Sequence, residues 1–140
     1  MYRQHLSYLV DPITKEPLRL SVIKEIDGEV IEGILNSSKS RYPIHEGIVH
    51  FTNSKGSLEL HQNHQEKTAK SFSYEWNNIY EENKVERDNF YHFLSPYLKE
   101  KDLSGKVILD AGCGSGRFTK YAAKAKTKVV FGMDLGESVQ

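Results

Sequence analysis

The sequence predicts a mixed α/β chain, with a small β unit first, helices next, and a strand-turn-helix-strand unit at the C-terminal end. Three observations predict it. Leu18, Leu20 and Val22 alternate with polar residues ahead of Asp27-Gly28 and a second run from Val30 to Leu35, which is the pattern of a hairpin closed by a tight turn. From Leu58 to Glu82 the chain is dense in Gln, Glu, Lys and Ala and has no proline, a composition that favours helix. The stretch Lys106-Val-Ile-Leu-Asp-Ala-Gly-Cys-Gly-Ser-Gly-Arg117 joins an apolar run, a carboxylate and three glycines. Strand, glycine turn, helix is the order of a nucleotide-type binding site.

Composition narrows the class. At 140 residues and 38% hydrophobic content the chain fits one ordinary domain or two small ones, with enough apolar residues for a soluble core. Lys+Arg 19 balances Asp+Glu 19, so net charge gives no argument for nucleic acid or an anionic membrane as partner. Cys113 is the only cysteine. That excludes an intramolecular disulfide and a multi-cysteine zinc site, and it suits a reducing compartment. Neither a signal-peptide core nor a stretch of membrane-spanning length stands in the sequence, so the expected location is cytoplasmic.

Taken in order, residues 1–52 read as the β unit, 53–56 as a polar, glycine-ended linker, and 57–140 as helices followed by the strand-turn-helix-strand unit. Tyr42 to Phe51 adds an extended segment to the hairpin, with Pro43 expected at a sheet edge or strand start and Gly47 at a turn. Phe72, Trp76, Ile79 and Tyr80 fall at helical spacings and read as a core-facing stripe. A second helix is expected from Val85 to Leu94, with Val85, Phe90, Phe93 and Leu94 as its apolar face and Ser95-Pro96 as its break. Val107, Ile108 and Leu109 run without interruption, as in a parallel strand covered on both faces. After the glycines, Phe118, Tyr121, Ala122 and Ala125 share one helical face while Lys120 and Lys124 point elsewhere. Val129-Val-Phe-Gly-Met-Asp134 is then a second apolar strand that ends in a carboxylate.

Spacing separates the glycine-rich loops that compete for the central stretch. A phosphate-binding P-loop needs Gly-Lys followed by Ser or Thr at the helix start, but the only Gly-Lys pair, Gly105-Lys106, precedes the strand. The dinucleotide fingerprint puts its third glycine three positions after its second, and that position here is Arg117. What stands is Asp110-x-Gly112-x-Gly114-x-Gly116, with Asp134 placed 22 residues after Gly112. An acid at about 20 residues' distance is the one that meets a ribose in such units. A strand-helix-strand crossover brings both strand ends to one sheet edge, so loop and acid converge on one ligand.

This pattern resembles motif I, and the acid after the next strand, of the class I S-adenosylmethionine-dependent methyltransferases. The resemblance implies a Rossmann-like sheet of which this chain holds the first two strands and their connecting helix, and S-adenosylmethionine as cofactor. It also implies roles. Gly112, Gly114 and Gly116 would let the backbone approach the methionine and ribose, with Cys113 and Ser115 lending mainly main-chain groups, and Ala111 would count among the cofactor-binding residues. Asp110 would orient the loop and engage the methionine end, Asp134 would accept from the ribose hydroxyls, Leu135 would pack near the adenine, and Gly132 would leave space beside it. Ser71-Phe-Ser-Tyr-Glu-Trp76 is similar to a segment just upstream of this loop in a group of methyltransferases, which gives the aromatic stripe a second reading as a lid. No catalytic residue is assigned, since the sulfonium is already an activated electrophile and the protein mainly aligns the acceptor.

A second resemblance covers Leu9 to Phe51. Pro12, Pro17-Leu18, Gly33, Tyr42-Pro43-Ile44 and Gly47-Ile48 are similar to the small zinc-ribbon-like module that partners or is fused to bacterial methyltransferases. Where many members place two cysteine pairs, this chain has Asp11 and Thr14, then Ser37 and Ser40. None is a thiolate, so the module is expected to keep its shape without metal.

Simpler readings hold for the other chemistry-bearing residues. Cys113 has no histidine beside it in sequence, and a small residue suits the turn regardless. His61 and His64, three apart, lack a third ligand and read as a solvated face. Lys120, Lys124, Lys126 and Lys128 read as the polar face and end of a helix, not as a nucleic-acid patch. The expected partners are thus a small-molecule cofactor and an acceptor of unknown kind, with no membrane, no indicated nucleic acid, and unpaired sheet edges open to self-association. The chain stops at Gln140, after the second strand, whereas the resembled sheet normally has seven. It is therefore expected to be the N-terminal portion of a longer methyltransferase, binding the cofactor weakly and transferring no methyl group alone. The alternatives are a non-catalytic binding module with a remnant loop, and a nicotinamide oxidoreductase, which Arg117 disfavours.

Overall fold

A computed structural model describes residues 1–51 and 84–135 and separates two compact units, Met1–Glu59 and Leu60–Gln140. The described elements make a mixed α/β structure with two small sheets. The expected linker at 53–56, the stripe Phe72, Trp76, Ile79 and Tyr80, the segment Ser71 to Trp76, and His61 and His64 lie outside the described residues.

In the first unit a 3-10 helix, Arg3–Tyr8, precedes four antiparallel strands: β1 (Arg19–Ile26), β2 (Glu29–Asn36), β3 (Arg41–His45) and β4 (Ile48–Val49), paired in chain order. The β1–β2 hairpin closes at Asp27-Gly28, both at positive φ, as a two-residue hairpin turn prefers. Leu18, Val30, Leu35, Tyr42 and Ile44 form the core, with Leu20, Val22 and Val49 packed on it. Pro43 departs from expectation, because β3 lies between β2 and β4 and Pro43 pairs with Ile34. The reason is local. The Pro43 carbonyl accepts from His50, so its nitrogen faces the β4 side, where the two-residue β4 has already ended.

Two turns of this unit are laced together by carboxylates. Asp11 is fully buried, and its carboxylate accepts the amides of Ile13 (2.7 Å) and Thr14 (2.9 Å) and the hydroxyl of Ser37. The Ser37 oxygen in turn accepts the amide of Ser40 at 3.0 Å. Glu16 accepts the Ser38 hydroxyl at 2.6 Å. Burial pushes the Asp11 carboxyl up, but hydrogen bonds from Ser37, Thr14 and Ile13 outweigh it and hold the group well below the usual carboxylate range. The buried Tyr42 hydroxyl, itself without a hydrogen-bond partner of good geometry, favours the charged form too.

The second unit contains α1 (Lys84–Leu94), α2 (Glu100–Leu103), β5 (Val107–Ala111), α3 (Arg117–Lys124) and β6 (Val129–Met133). β5 and β6 are parallel, with Ile108 beside Val130 and Ala111 beside Met133. Phe90, Leu103, Tyr121, Ala122 and Ala125 form the core, against which Ile108, Phe118 and Val130 pack. The Phe90 ring lies 5.9 Å from Tyr121 and 5.7 Å from Phe118. Period-two geometry gives β5 two unlike faces. Ile108 packs on the core, whereas Val107 and Leu109 are 46% and 60% exposed, so the described residues cover one face of the strand, not both faces as its apolar run predicted. Phe93 likewise departs, being 65% exposed at the rim of the cluster, and the side chain of Val85 lies outside those described. Lys120 and Lys124 lie outside the buried face of α3, and their ammonium groups reach over the Tyr121 ring at 5.1 and 5.5 Å, adding a cation–π contact. No described helix is long and apolar enough to cross a membrane.

Candidate functional site

The site candidate grows from the parallel pairing. Because β5 and β6 run in the same direction and in register, Asp110 stands beside Gly132 and Ala111 beside Met133, and both strands end together. The chain leaves β5 through Gly112 at φ 83°. A Cβ built there would meet nothing within 4 Å, so backbone conformation selects glycine and the space over it is open. The loop is then knitted to the end of β6. The amides of Gly112 and Cys113 both donate to the Met133 carbonyl (2.7 and 3.1 Å), and the Gly114 amide donates to Asp134 Oδ2 at 2.8 Å. Gly116, at φ 78°, precedes α3, its amide donating to the Cys113 carbonyl and its carbonyl accepting from Lys120 to start the helix. Loop and acid thus meet at one sheet edge, as the 22-residue spacing suggested.

Several details differ from the residue-by-residue expectation. The amides of Gly112 and Cys113 do not face outward for a ligand, because the Met133 carbonyl takes both. Gly132 faces the Cys113 side chain. A Cβ there would come 3.0 Å from Cys113 Sγ, closer than a normal contact, and 3.6 Å from Thr119 Oγ1, a normal one, so the missing side chain makes room for the Cys113 thiol. Leu135 itself is 68% exposed. Burial, followed by the nearby charges of Asp110 and Asp134, pushes the Cys113 thiol up. At neutral pH it stays protonated, which removes the thiolate a nucleophile needs.

Asp110 makes the contact that sequence reasoning missed. It lies on the same face of β5 as Ile108, toward α3, and there Thr119 Oγ1 donates to its Oδ2 at 2.6 Å. The available signal was a hydroxyl residue in the first turns of the helix, next to the apolar positions Phe118 and Tyr121 that turn toward the sheet. Among the described residues no cluster of three or more His, Cys, Asp or Glu side chains is arranged to hold a metal. The arrangement is one of hydrogen-bond acceptors and small residues at a strand edge: two carboxylates, Asp110 and Asp134, flank an open glycine turn whose own amides are anchored. It can recognise hydroxyls and a cationic group without supplying a nucleophile of its own.

Comparison with known proteins gives one distant likeness. The protein arginine N-methyltransferase 1 of Saccharomyces cerevisiae is 24% identical over 108 residues, a match that takes in 76% of this chain and 26% of that protein. This chain therefore spans about a quarter of the length of the curated relative it matches. No protein-family model matches the chain. The likeness points to a methyltransferase relationship and is compatible with a methyltransferase-like α/β fold.

Proposed function

We propose that residues Val107 to Leu135 form the cofactor-binding part of an S-adenosylmethionine-dependent methyltransferase. The observation that carries this reading is the convergence of the Gly112–Gly116 loop with Asp134, sealed by the Gly114 amide on the Asp134 carboxylate. The residues fit the cofactor on three counts. The turn at Gly112 leaves open space where a ligand would lie. Asp110 and Asp134 place negative charge where a sulfonium and an α-ammonium, or ribose hydroxyls, would be held. The protonated Cys113 offers no competing nucleophile to the activated methyl group. When bound, S-adenosylmethionine supplies the electrophilic methyl; these residues hold and orient it. In this reading Asp134 accepts from the ribose, Asp110 faces the methionine end, and Ala111, Cys113, Gly116 and Leu135 line the cofactor. The relative with the likeness is named for arginine in proteins; the present assignment concerns the cofactor and leaves the acceptor open. For the first unit we favour a metal-free, zinc-ribbon-like module, supported by the hydrogen-bonded meeting of Asp11, Thr14, Ser37 and Ser40.

Titration of isotope-labelled chain with S-adenosylhomocysteine, followed by NMR, tests the cofactor assignment even where binding is weak. The amides of Gly112, Gly114, Gly116 and Asp134 should shift, while NAD at the same concentration leaves them in place. Shifts with NAD alone, or none with either ligand, would sink it.

A further inference from the structure

Asp110 needs more than a place on β5 to present its carboxylate in one orientation, because a side chain at a strand end has rotamers to choose from. Two observations fix it. Thr119 Oγ1 donates to Asp110 Oδ2 at 2.6 Å, at the short end of the O–H···O range. Asp110 also shares the face of β5 that carries Ile108 toward α3, and beside it on β6 stands Gly132, where a Cβ would lie 3.0 Å from Cys113 Sγ and only in ordinary contact, 3.6 Å, with Thr119 Oγ1. Helix and strand together hold one carboxylate oxygen and so set the orientation of the other. The choice of threonine follows from its rotamers. In a helix its hydroxyl would otherwise divide between two of them, one bonded to the preceding turn, and the bond to Asp110 selects one.

We propose that Thr119 is a positioning residue for cofactor binding, acting through Asp110; this rests on the S-adenosylmethionine reading above. Its hydroxyl does not touch the cofactor but sets the direction in which Asp110 meets the methionine end. A merely structural role, pinning α3 to β5, would lower stability and leave affinity alone.

The test is an NMR titration of the 140-residue chain with S-adenosylhomocysteine, alongside melting temperatures, for wild type, Thr119→Val, Thr119→Ser and Asp110→Asn. Thr119→Val should weaken binding about tenfold, with Thr119→Ser within about twofold of wild type because the donor is kept. In an Asp110→Asn background the valine change should cost no further affinity. Thr119→Ala removes the hydroxyl without branching and replaces the valine variant if that one unfolds. Unchanged affinity in a folded Thr119→Val or Thr119→Ala chain overturns the proposal while the cofactor assignment stands. So does an equal loss in Thr119→Ser, or a full valine effect on top of Asp110→Asn. A wild-type chain that binds no S-adenosylhomocysteine removes the cofactor assignment itself, and this role with it.

Discussion

Two residues carry more of the structure than their exposure in sequence suggests. Asp11 is a carboxylate sealed in the first unit, and hydrogen bonding to Ser37, Thr14 and Ile13 more than offsets the burial that would neutralise it. Its folded-state pKa is below the unfolded one, so its contribution is complete above about pH 5 and is lost as pH falls through the carboxylate range. Asp11→Ala should therefore lower the melting temperature of the first unit by roughly 10 °C at pH 7, and the gap to wild type should narrow below about pH 4. Melts followed by near-ultraviolet circular dichroism from about pH 7 to about pH 3 check this, and a gap indifferent to pH would refute it. Gly132 is the other case. Adding a methyl there forces Cys113 Sγ, 3.0 Å away, to move, and overpacking of this kind costs about 1–3 kcal/mol. Gly132→Ala should destabilise the second unit by about 1–2 kcal/mol, and Cys113→Ala in the same chain should return most of it. Denaturant titration of the two single variants and the double variant measures the coupling.

At the scale of elements, the glycine turn shows how much a local pattern can say. The carboxylates, the strand ends and the acid after β6 were legible because a parallel strand-helix-strand unit has few ways to close. The anchoring of the loop was not legible: the acceptor is the Met133 carbonyl, a backbone group that no side-chain pattern reports. Thr119 was hidden for a related reason, since its partner depends on which face of β5 turns to α3. Pro43 misled because a two-residue β4 makes an inner strand behave as an edge at that point. Gly112 gives the element-scale prediction. Its φ of 83° is costly for any residue with a Cβ, yet among the described residues a Cβ would meet nothing within 4 Å beyond its own chain neighbours. Gly112→Ala should thus cost about 1 kcal/mol of stability through backbone strain alone. A loss of S-adenosylhomocysteine affinity larger than about tenfold, beyond that strain, would reveal a ligand seated against the turn. Retained affinity would place the ligand elsewhere on the loop.

The described residues hold two cores built on different principles. In the second unit helices cover one face of a two-stranded parallel sheet, and Val107, Leu109 and Met133 stay exposed; the apolar run that predicted full burial reported the composition of the strand, not what covers it among the described residues. In the first unit Leu18 stands just before β1, Val30 and Leu35 come from β2 and Tyr42 and Ile44 from β3, and the buried side chains Val30, Leu35 and Tyr42 leave no exposed surface. Among the described residues all members of this core lie within residues 1–51, so a peptide of residues 1–51 should fold alone. A unit of this size has a margin of only about 3–5 kcal/mol, and replacing a buried leucine with alanine costs about 2–5 kcal/mol. Leu35→Ala should accordingly take most or all of that margin and leave the peptide largely unfolded at about 25 °C, whereas Ile23→Ala, at a position 72% exposed, should leave it folded. Far-ultraviolet circular dichroism and hydrogen exchange across β2 and β3 decide the matter. Exchange as fast in wild type as in Leu35→Ala would mean that the sheet does not stand on its own core.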